Sequence, residues 1–450
     1  MQIFWLLTLA VFMGAALLSL RWGVILYLIG ALIFPSLWFG ETTAVRFELI
    51  YCLWLVFVFF LRNTILKGTF KWHPVLSKYG LFLLVIVLST MFALVGRSSE
   101  GSLIEEAVSL YGILRPLLVM WFVLNISVDE RFTSRVLQAL LWLTVPIALL
   151  SIEQTLGANI AQQVTLQGYT SPSRTPVFNM LEKLGVITRS TGVFASPTYN
   201  GVYFVLILTI VGFALVIGSP AFGSKWFLYL LLGLAAVAGT TTLTSTFLMG
   251  APLAVAVLVF MLGYRYPKRF IQFAVAIAGV ASMFVIVGLP YFTQQGTFAG
   301  TLNYQVNRIL SGTLLYTRYS PEGGQLRGTY EAIQERPVIG WGLTEREGAF
   351  VGDSTYISVL YWGGIISLGS FLWLVCSILK HAWRNRGEES LRGQISWIVL
   401  LWTLLLLATG VGSPSFFILR LQEWYWALVG VSLNLCSQAN GNKTRHEHAG

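Results

Sequence analysis

Charge is what this sequence has least of. Of its 450 residues, 11% are Asp, Glu, Lys or Arg, against about a quarter in a soluble domain. A chain this poor in charge cannot clothe itself in a hydrated surface, so most of its exterior must face lipid. Cysteine is scarce as well. Cys52, Cys376 and Cys436 each fall in or beside an apolar run, which excludes a disulfide framework and a cysteine metal site. The sequence has no P-loop, no Rossmann glycine fingerprint and no paired-Asp nucleotide-sugar motif. Neither an ATP-driven pump nor a cytoplasmic nucleotide-sugar transferase is therefore expected, and no cofactor is. No internal repeat points to an inverted-repeat transporter. No basic region precedes the first apolar run, Ile3 to Leu20, so that run reads as a true span and not as a cleaved signal.

What the sequence has in abundance is apolar and aromatic side chains: 56% hydrophobic residues, with 16 Trp, 18 Tyr and 30 Phe. A span needs about 20 apolar residues. The candidates are 3–20, 22–39, 46–61, 80–96, 107–126, 136–154, 198–218, 225–242, 245–264, 270–289, 354–379, 393–411 and 416–436. The first pair is divided only by Arg21, and another pair is split around Thr240 to Ser245. Either pair also reads as re-entrant or broken, so the expected fold is all-α and polytopic, with about 12–14 transmembrane helices. It forms one membrane-embedded domain over 1–450, ending in a polar tail, 437–450, expected to lack order.

Basic residues in the short loops set the orientation. Arg62, Lys67, Lys71 and Lys78, then Arg131 and Arg135, Lys225, Arg265, Lys268 and Arg269, Lys380, Arg384, Arg386 and Arg392, and Lys443 and Arg445 fall in one alternate set. That set is assigned to the cytoplasm. It accounts for the formal charge of +10 without invoking nucleic acid as a partner. The four histidines, His73, His381, His446 and His448, all lie on that side. The opposite set holds the two long loops, 155–197 and 290–353, and the second is expected to carry short helices.

The 290–353 loop contains Arg308, Arg318, Arg327, Arg336 and Arg346 but neither Lys nor His. Guanidinium binds phosphate through paired hydrogen bonds where ammonium is a point charge. The plain alternative is that these arginines pair with Glu322, Glu331, Glu335, Glu345 and Glu347 on a solvated surface. Gln325 to Gln334 reads as a helix after a Gly-rich turn, stopped by Pro337 and followed by Gly340-Trp341-Gly342. In the other long loop, Arg189-Ser190-Thr191-Gly192-Val193-Phe194 runs into Pro197-Thr198-Tyr199-Asn200. Arg189 falls at headgroup level there, among polar groups just outside the bilayer, and the plain alternative is a snorkelling arginine on lipid phosphates. Asp353, ahead of Ser354 and Thr355, is a general base for a sugar hydroxyl or a helix cap. Within the spans, Arg115, Arg420 and Glu423 stand out. The spacing of Arg420 and Glu423 suggests that they pair with one another.

These stretches together resemble the bacterial O-antigen ligase and O-antigen polymerase superfamily. Arg189 to Phe194 with Pro197 to Asn200 looks like that family's Arg, Gly-x-Phe and Pro-Asn turn. Arg327 with Pro337-Val338-Ile339-Gly340-Trp341-Gly342 looks like its Arg-led helix and Pro-x-x-Gly-x-Gly turn. Asp353-Ser354 followed by nine residues and Gly364 looks like the ligase motif, with Asp where ligases have His. A second departure is Thr240 to Thr246, where many relatives carry Ser-Arg. The resemblance implies a multi-span glycosyltransferase of the bacterial inner membrane, its site facing outward. It implies an undecaprenyl diphosphate-linked glycan donor, a glycan or lipid-linked acceptor, contact with membrane lipids, and room for a chain-length regulator as partner. By matching position, Arg189 and Arg327 become diphosphate ligands. Arg308 and Arg318 are further candidates for that role, and Arg189 is expected to converge on the 291–353 loop. Asp353 and Arg327 become catalytic, with no metal required. Tyr356, Tyr330 and Trp341 are candidate sugar-stacking surfaces. The missing histidine favours a polymerase over a lipopolysaccharide ligase, which stays as the alternative. A transporter of lipid-linked sugars is the reading from another class.

Overall fold

In the computed structural model the apolar runs are helices, and the backbone logic of a bilayer explains why. No water is available inside lipid to pair N–H and C=O groups, so each segment must satisfy its own. The structure describes residues 2–39, 43–65, 70–95, 103–156, 189–263, 265–283, 297–320, 324, 326–343, 349, 351–352, 354–387 and 389–447.

The helices run in order as α1 (Gln2–Leu18), α2 (Leu20–Ile33), α3 (Phe47–Ile65), α4 (Pro74–Val95), α5 (Leu103–Asn125), α6 (Glu130–Thr155), α7 (Pro197–Ile217), α8 (Lys225–Thr241) and α9 (Ser245–Leu258). They continue as α10 (Pro267–Met283), α11 (Thr297–Leu310), α12 (Thr313–Tyr319), α13 (Arg327–Glu335), α14 (Thr355–Asn385), α15 (Leu391–Thr409) and α16 (Leu421–Glu447). Seven helices among the described residues are long and apolar enough to cross a membrane, and three more are apolar but shorter. Every expected run overlies a helix, and the protein is an all-α, multi-pass membrane protein. The only strands among the described residues form a short antiparallel ladder, β1 (Leu37–Phe39) with β2 (Thr43–Val45).

Four boundaries correct the sequence reading. The run expected over 22–39 stops being helical at Ile33, ahead of Pro35 and β1, because a proline disfavours helical backbone in the residue before it. The run expected over 416–436 becomes α-helical only at Leu421. The tail expected to lack order from 437 onward is helical to Glu447, continuing the ladder of α16. The span expected over 354–379 extends to Asn385 and is interrupted by non-helical backbone at Gly363 and Gly364.

The chain divides into two compact units. Unit one comprises Met1–Ala10, Ile25–Ile50 and Ser134–Ser311. At its centre, α7 is buried nearly all round and packs against α8, α9 and α10. Unit two comprises Val11–Val24, Tyr51–Thr133 and Gly312–Gly450. There α4 lies on α14, α5 lies on α16, and α15 lies between α14 and α16.

Unit two contains a buried ion pair. Arg115 Nε donates to Glu423 Oε1 at 2.6 Å, and the two side chains are 1% and 0% exposed. Arg420, the partner expected for Glu423, precedes α16 and has a φ of +76°. It is outside the helix, so the three-residue spacing does not put the two on one face. The end of α5 is capped nearby. Asn434 Nδ2 donates to the carbonyl oxygens of Val123, Leu124 and Ile126 at 3.0, 2.7 and 2.9 Å, covering acceptors that a helix end leaves open.

Removing one member of a buried pair strands the other charge, at a cost of about 3–5 kcal/mol. Glu423→Ala is expected to lower the thermal unfolding temperature of the purified protein markedly. Arg115→Met combined with Glu423→Leu is expected to recover most of the loss. A Glu423→Ala protein as stable as the parent would remove the pair from the core's energetics.

Candidate functional site

In unit two, α13 begins on Arg327 and is amphipathic. Thr329 and Ala332 are buried, while Arg327 and Glu331 lie on the open side. Arg327 Nε donates to Glu331 Oε1 at 2.8 Å, and both side chains are 59% exposed. The hydrogen bond and charge of Glu331 raise the guanidinium pKa further, so Arg327 is cationic at any physiological pH. Tyr330 is half-buried on the same helix, and that burial raises its phenol pKa above the ordinary value.

The Pro337–Gly342 turn follows and enters the break in α14. An uninterrupted helix pairs each N–H with the carbonyl four residues back. Here the Tyr361 carbonyl accepts from Trp341 N at 2.8 Å, and the Trp362 carbonyl accepts from Gly342 N at 2.9 Å. Ile365 N donates instead to Pro337 O at 2.9 Å. The two segments have exchanged backbone partners. Such an approach requires glycine. Gly340 and Gly364 have φ values of +72° and +62°. A Cβ on Gly340 would meet Gly364 N at 2.6 Å, and one on Gly364 would meet Val338 C at 2.2 Å. Two of the stretches that carry the family resemblance are thus one interlocked element.

The candidate sugar-stacking residues are partly committed. Trp341 Nε1 donates to Ala332 O at 2.6 Å, and the Arg336 guanidinium lies 4.1 Å from its ring centre, covering one face. Tyr356 donates its hydroxyl to Leu407 O at 2.6 Å. The N-cap of α14 is Ser354, whose Oγ donates to Gly410 O at 3.1 Å. Asp353 lies outside the described residues, as does the Arg318 side chain.

In unit one, the α8–α9 joint is a second break. The helices are separated by Thr242-Leu243-Thr244, with Leu243 at a φ of +48°. The Arg189 stretch closes onto it. Ser190 N donates to Thr241 O at 3.2 Å, and Arg189 Nε donates to Thr242 O at 3.2 Å. The stretch is held from behind by α6, where Gln154 Oε1 accepts from both Thr191 N and Gly192 N at 2.9 Å. Asn200 Nδ2 donates to Ser151 Oγ at 3.0 Å and to Ser190 O at 3.3 Å. Gly192 has a φ of +56°, and a Cβ there would lie 2.8 Å from Asn200 Oδ1. Gln154, Ser151 and Asn200 are buried, so Arg189 is mounted on a rigid polar knot.

The same joint borders a cavity of about 340 Å³ between α7, α8, α9 and α10. Its walls include Leu208, Leu232, Phe247, Val255, Phe273 and Ile277, with Thr240 at the joint. Arg308 is also in unit one, in the last turn of α11, 5.4 Å from the Tyr304 ring centre.

Sequence reasoning missed Gln154 and Ser151 of α6. Their one signal is polarity within an apolar run, which marks a partnered group. It also missed the α14 break, although paired glycines in a span are a recognised cause of kinks. Among the described residues, no group of three or more His, Cys, Asp or Glu is placed to hold a metal ion. Comparison with protein-family models and with curated proteins found no match to this chain.

Gly364→Ala is expected to expel the Pro337–Gly342 turn and raise amide hydrogen exchange across 337–343. Gly369→Ala, on the same helix with nothing within 4 Å of the added carbon, is expected to leave exchange there unchanged. Equal protection in the two variants would rule out the backbone interlock.

Proposed function

We propose that the protein is an inverting glycosyltransferase that polymerises undecaprenyl diphosphate-linked oligosaccharide repeats at the outer face of the bacterial inner membrane. The observation that carries this reading is the pairing at the α8–α9 joint. An arginine on a fixed mount shares that joint with an almost wholly apolar cavity. A lipid diphosphate needs this combination: donors for the phosphates and an apolar slot for part of an isoprenoid chain. Arginine suits the first role because its fork matches phosphate oxygens.

In the proposed reaction an acceptor hydroxyl attacks the anomeric carbon from the face opposite the diphosphate. The new C–O bond forms as the bond to the phosphate oxygen breaks, and undecaprenyl diphosphate leaves with the bonding pair. The hydroxyl proton passes to Asp353. Arginine neutralises the charge that develops on the leaving group, the kind of fixed electrostatic assistance that dominates such steps. By the family resemblance Arg189 and Arg327 are each a candidate for this chemistry, Arg189 on its knot and Arg327 by exchanging Glu331 for phosphate. Asp353 in place of the ligase histidine favours polymerase over ligase.

Purified protein incubated with lipid-linked repeat units is expected to yield a ladder of longer lipid-linked chains. A single transfer to added lipid A core, with no ladder, would make the protein a ligase. No product from folded protein with either acceptor would sink both. In the same assay, Arg189→Lys and Arg327→Lys are each expected to lower turnover by about two orders of magnitude, the scale of losing one fixed donor to a developing oxyanion. Full activity in either lysine variant would remove that arginine from the diphosphate.

A further inference from the structure

Unit two carries a cavity of its own, and this one is polar. It measures about 320 Å³ and lies where the α1–α2 joint, the end of α3 and the end of α5 meet. Its lining includes Phe59, Arg62, Asn63, Arg21, Asn125 and Ser127. The rule of basic loops assigns this end to the cytoplasm.

Two arginines face this space, and they are differently engaged. Arg21 is tied down: its Nε and Nη2 donate to Ser127 Oγ at 3.2 and 3.0 Å, and its Nη1 meets Asp129 Oδ2 at 2.8 Å. A hydrogen bond from Phe132 N, then the charge of Arg21, hold the Asp129 carboxyl below its ordinary pKa. Asp129 is therefore ionised and balances Arg21. Arg62 has a single polar partner among the described residues, the carbonyl oxygen of Leu18, to which Nη2 donates at 3.1 Å. One guanidinium N–H of five is used, and no carboxylate among the described residues balances its charge. The pocket therefore has a net positive charge and unused donors in fork geometry.

The surroundings fix the depth. Trp121 lies 5.2, 5.6 and 5.6 Å, ring centre to ring centre, from Phe59, Phe60 and Phe70. Phe60 and Phe70 are about half exposed. Trp121, an amphipathic ring beside basic residues, is of the type enriched at the headgroup level of a bilayer. Leu18 is 83% exposed at the rim, an apolar surface that acyl chains would cover and a soluble anion would not.

We infer that this pocket is a binding site for the phosphodiester headgroup of an anionic phospholipid of the cytoplasmic leaflet, with Arg62 as its principal ligand. The phosphate takes the open fork of Arg62, and the acyl chains descend along the exposed apolar rim. Basic pockets between spans on this side bind such headgroups in this way. The site is independent of the proposed transferase chemistry, and its test uses no activity.

The test titrates the full chain, purified in detergent, with phosphatidylglycerol, phosphatidylcholine and inorganic phosphate, reading bound ligand by native mass spectrometry. Wild-type protein is expected to prefer phosphatidylglycerol. Arg62→Gln is expected to weaken that binding about fivefold, the loss of one basic charge near the surface, with phosphatidylcholine unaffected. Lys225→Gln, a basic residue of unit one, is expected to change nothing. Equal phosphatidylglycerol binding by wild type and folded Arg62→Gln would overturn the site. Inorganic phosphate that binds as well as the lipid and competes with it would overturn the lipid as its ligand. If Arg62→Gln does not fold, a photoactivatable phosphatidylglycerol on wild-type protein decides. Adducts within 59–63 or 125–127 support the site, and adducts confined elsewhere overturn it.

Discussion

The constraint on which this protein depends is that a backbone group inside a bilayer must find a partner in the protein. A helix meets that demand without help, so a break in a helix is costly unless another segment repairs it. Two helix interruptions among the described residues, the α8–α9 joint and the Gly363–Gly364 kink, are each bonded by a segment from outside the helix. At Thr242–Thr244 the repair comes from the Arg189 stretch, through Ser190 N and Arg189 Nε. At Gly363–Gly364 it comes from the Pro337–Gly342 turn, which donates two backbone hydrogen bonds to α14 and accepts one from it. The repairing segments, 189–194 and 337–342, are two of the stretches that stand out in the sequence. At Gly340 and Gly364 the repair brings backbone against backbone, and at Gly192 it brings backbone against the Asn200 and Ser151 side chains, at distances where a Cβ has no room.

The same demand governs side chains. Unit two buries Arg115 and Glu423 in direct contact, and unit one buries an amide and hydroxyl knot of Gln154, Ser151, Asn200 and Ser190. Neither group is a cheap source of stability, because desolvation opposes the gain from pairing. What they supply is uniqueness of arrangement. Gln154 accepts two successive backbone N–H groups, a geometry that one conformation of the 189–194 stretch can satisfy. A charged side chain at Arg189 is thereby fixed relative to α6, α7 and the α8–α9 joint, all of them elements of unit one.

The fold was legible in the sequence where it depended on local composition. Each apolar run overlies a helix, because the cost of exposing backbone to lipid acts residue by residue. Only seven of the described helices are long and apolar enough to cross a membrane, against the roughly 12–14 expected. Pro337 stopped α13 and the glycines after it turned the chain, both of which are local effects. What the sequence hid was partnership at long range. Glu423 was matched with Arg420, three residues away, when its partner is Arg115, 308 positions distant. Spacing within a helix carries no information about which other helix lies alongside. The α14 break escaped for a related reason: Gly363-Gly364 reads as a tolerated pair until Pro337–Gly342 is placed against it. Of the candidate site, the turns and the leading arginines were legible, and the groups that hold them in place were not.

That difference in mounting separates the two arginines that sequence reasoning had treated alike. Arg189 is half-buried and anchored to a backbone carbonyl at a rigid joint, so its direction is set before any ligand arrives. Preorganisation of this kind spares a transition state the cost of arranging donors. Arg327 stands exposed, paired with Glu331 one turn along its own helix. Surface pairs at that spacing hold weakly and are screened by salt. Glu331 keeps the arginine extended along α13. One arginine is therefore held by the fold and the other by an exposed ion pair. The Gly340–Gly364 interlock ties the turn after α13 to α14, within unit two.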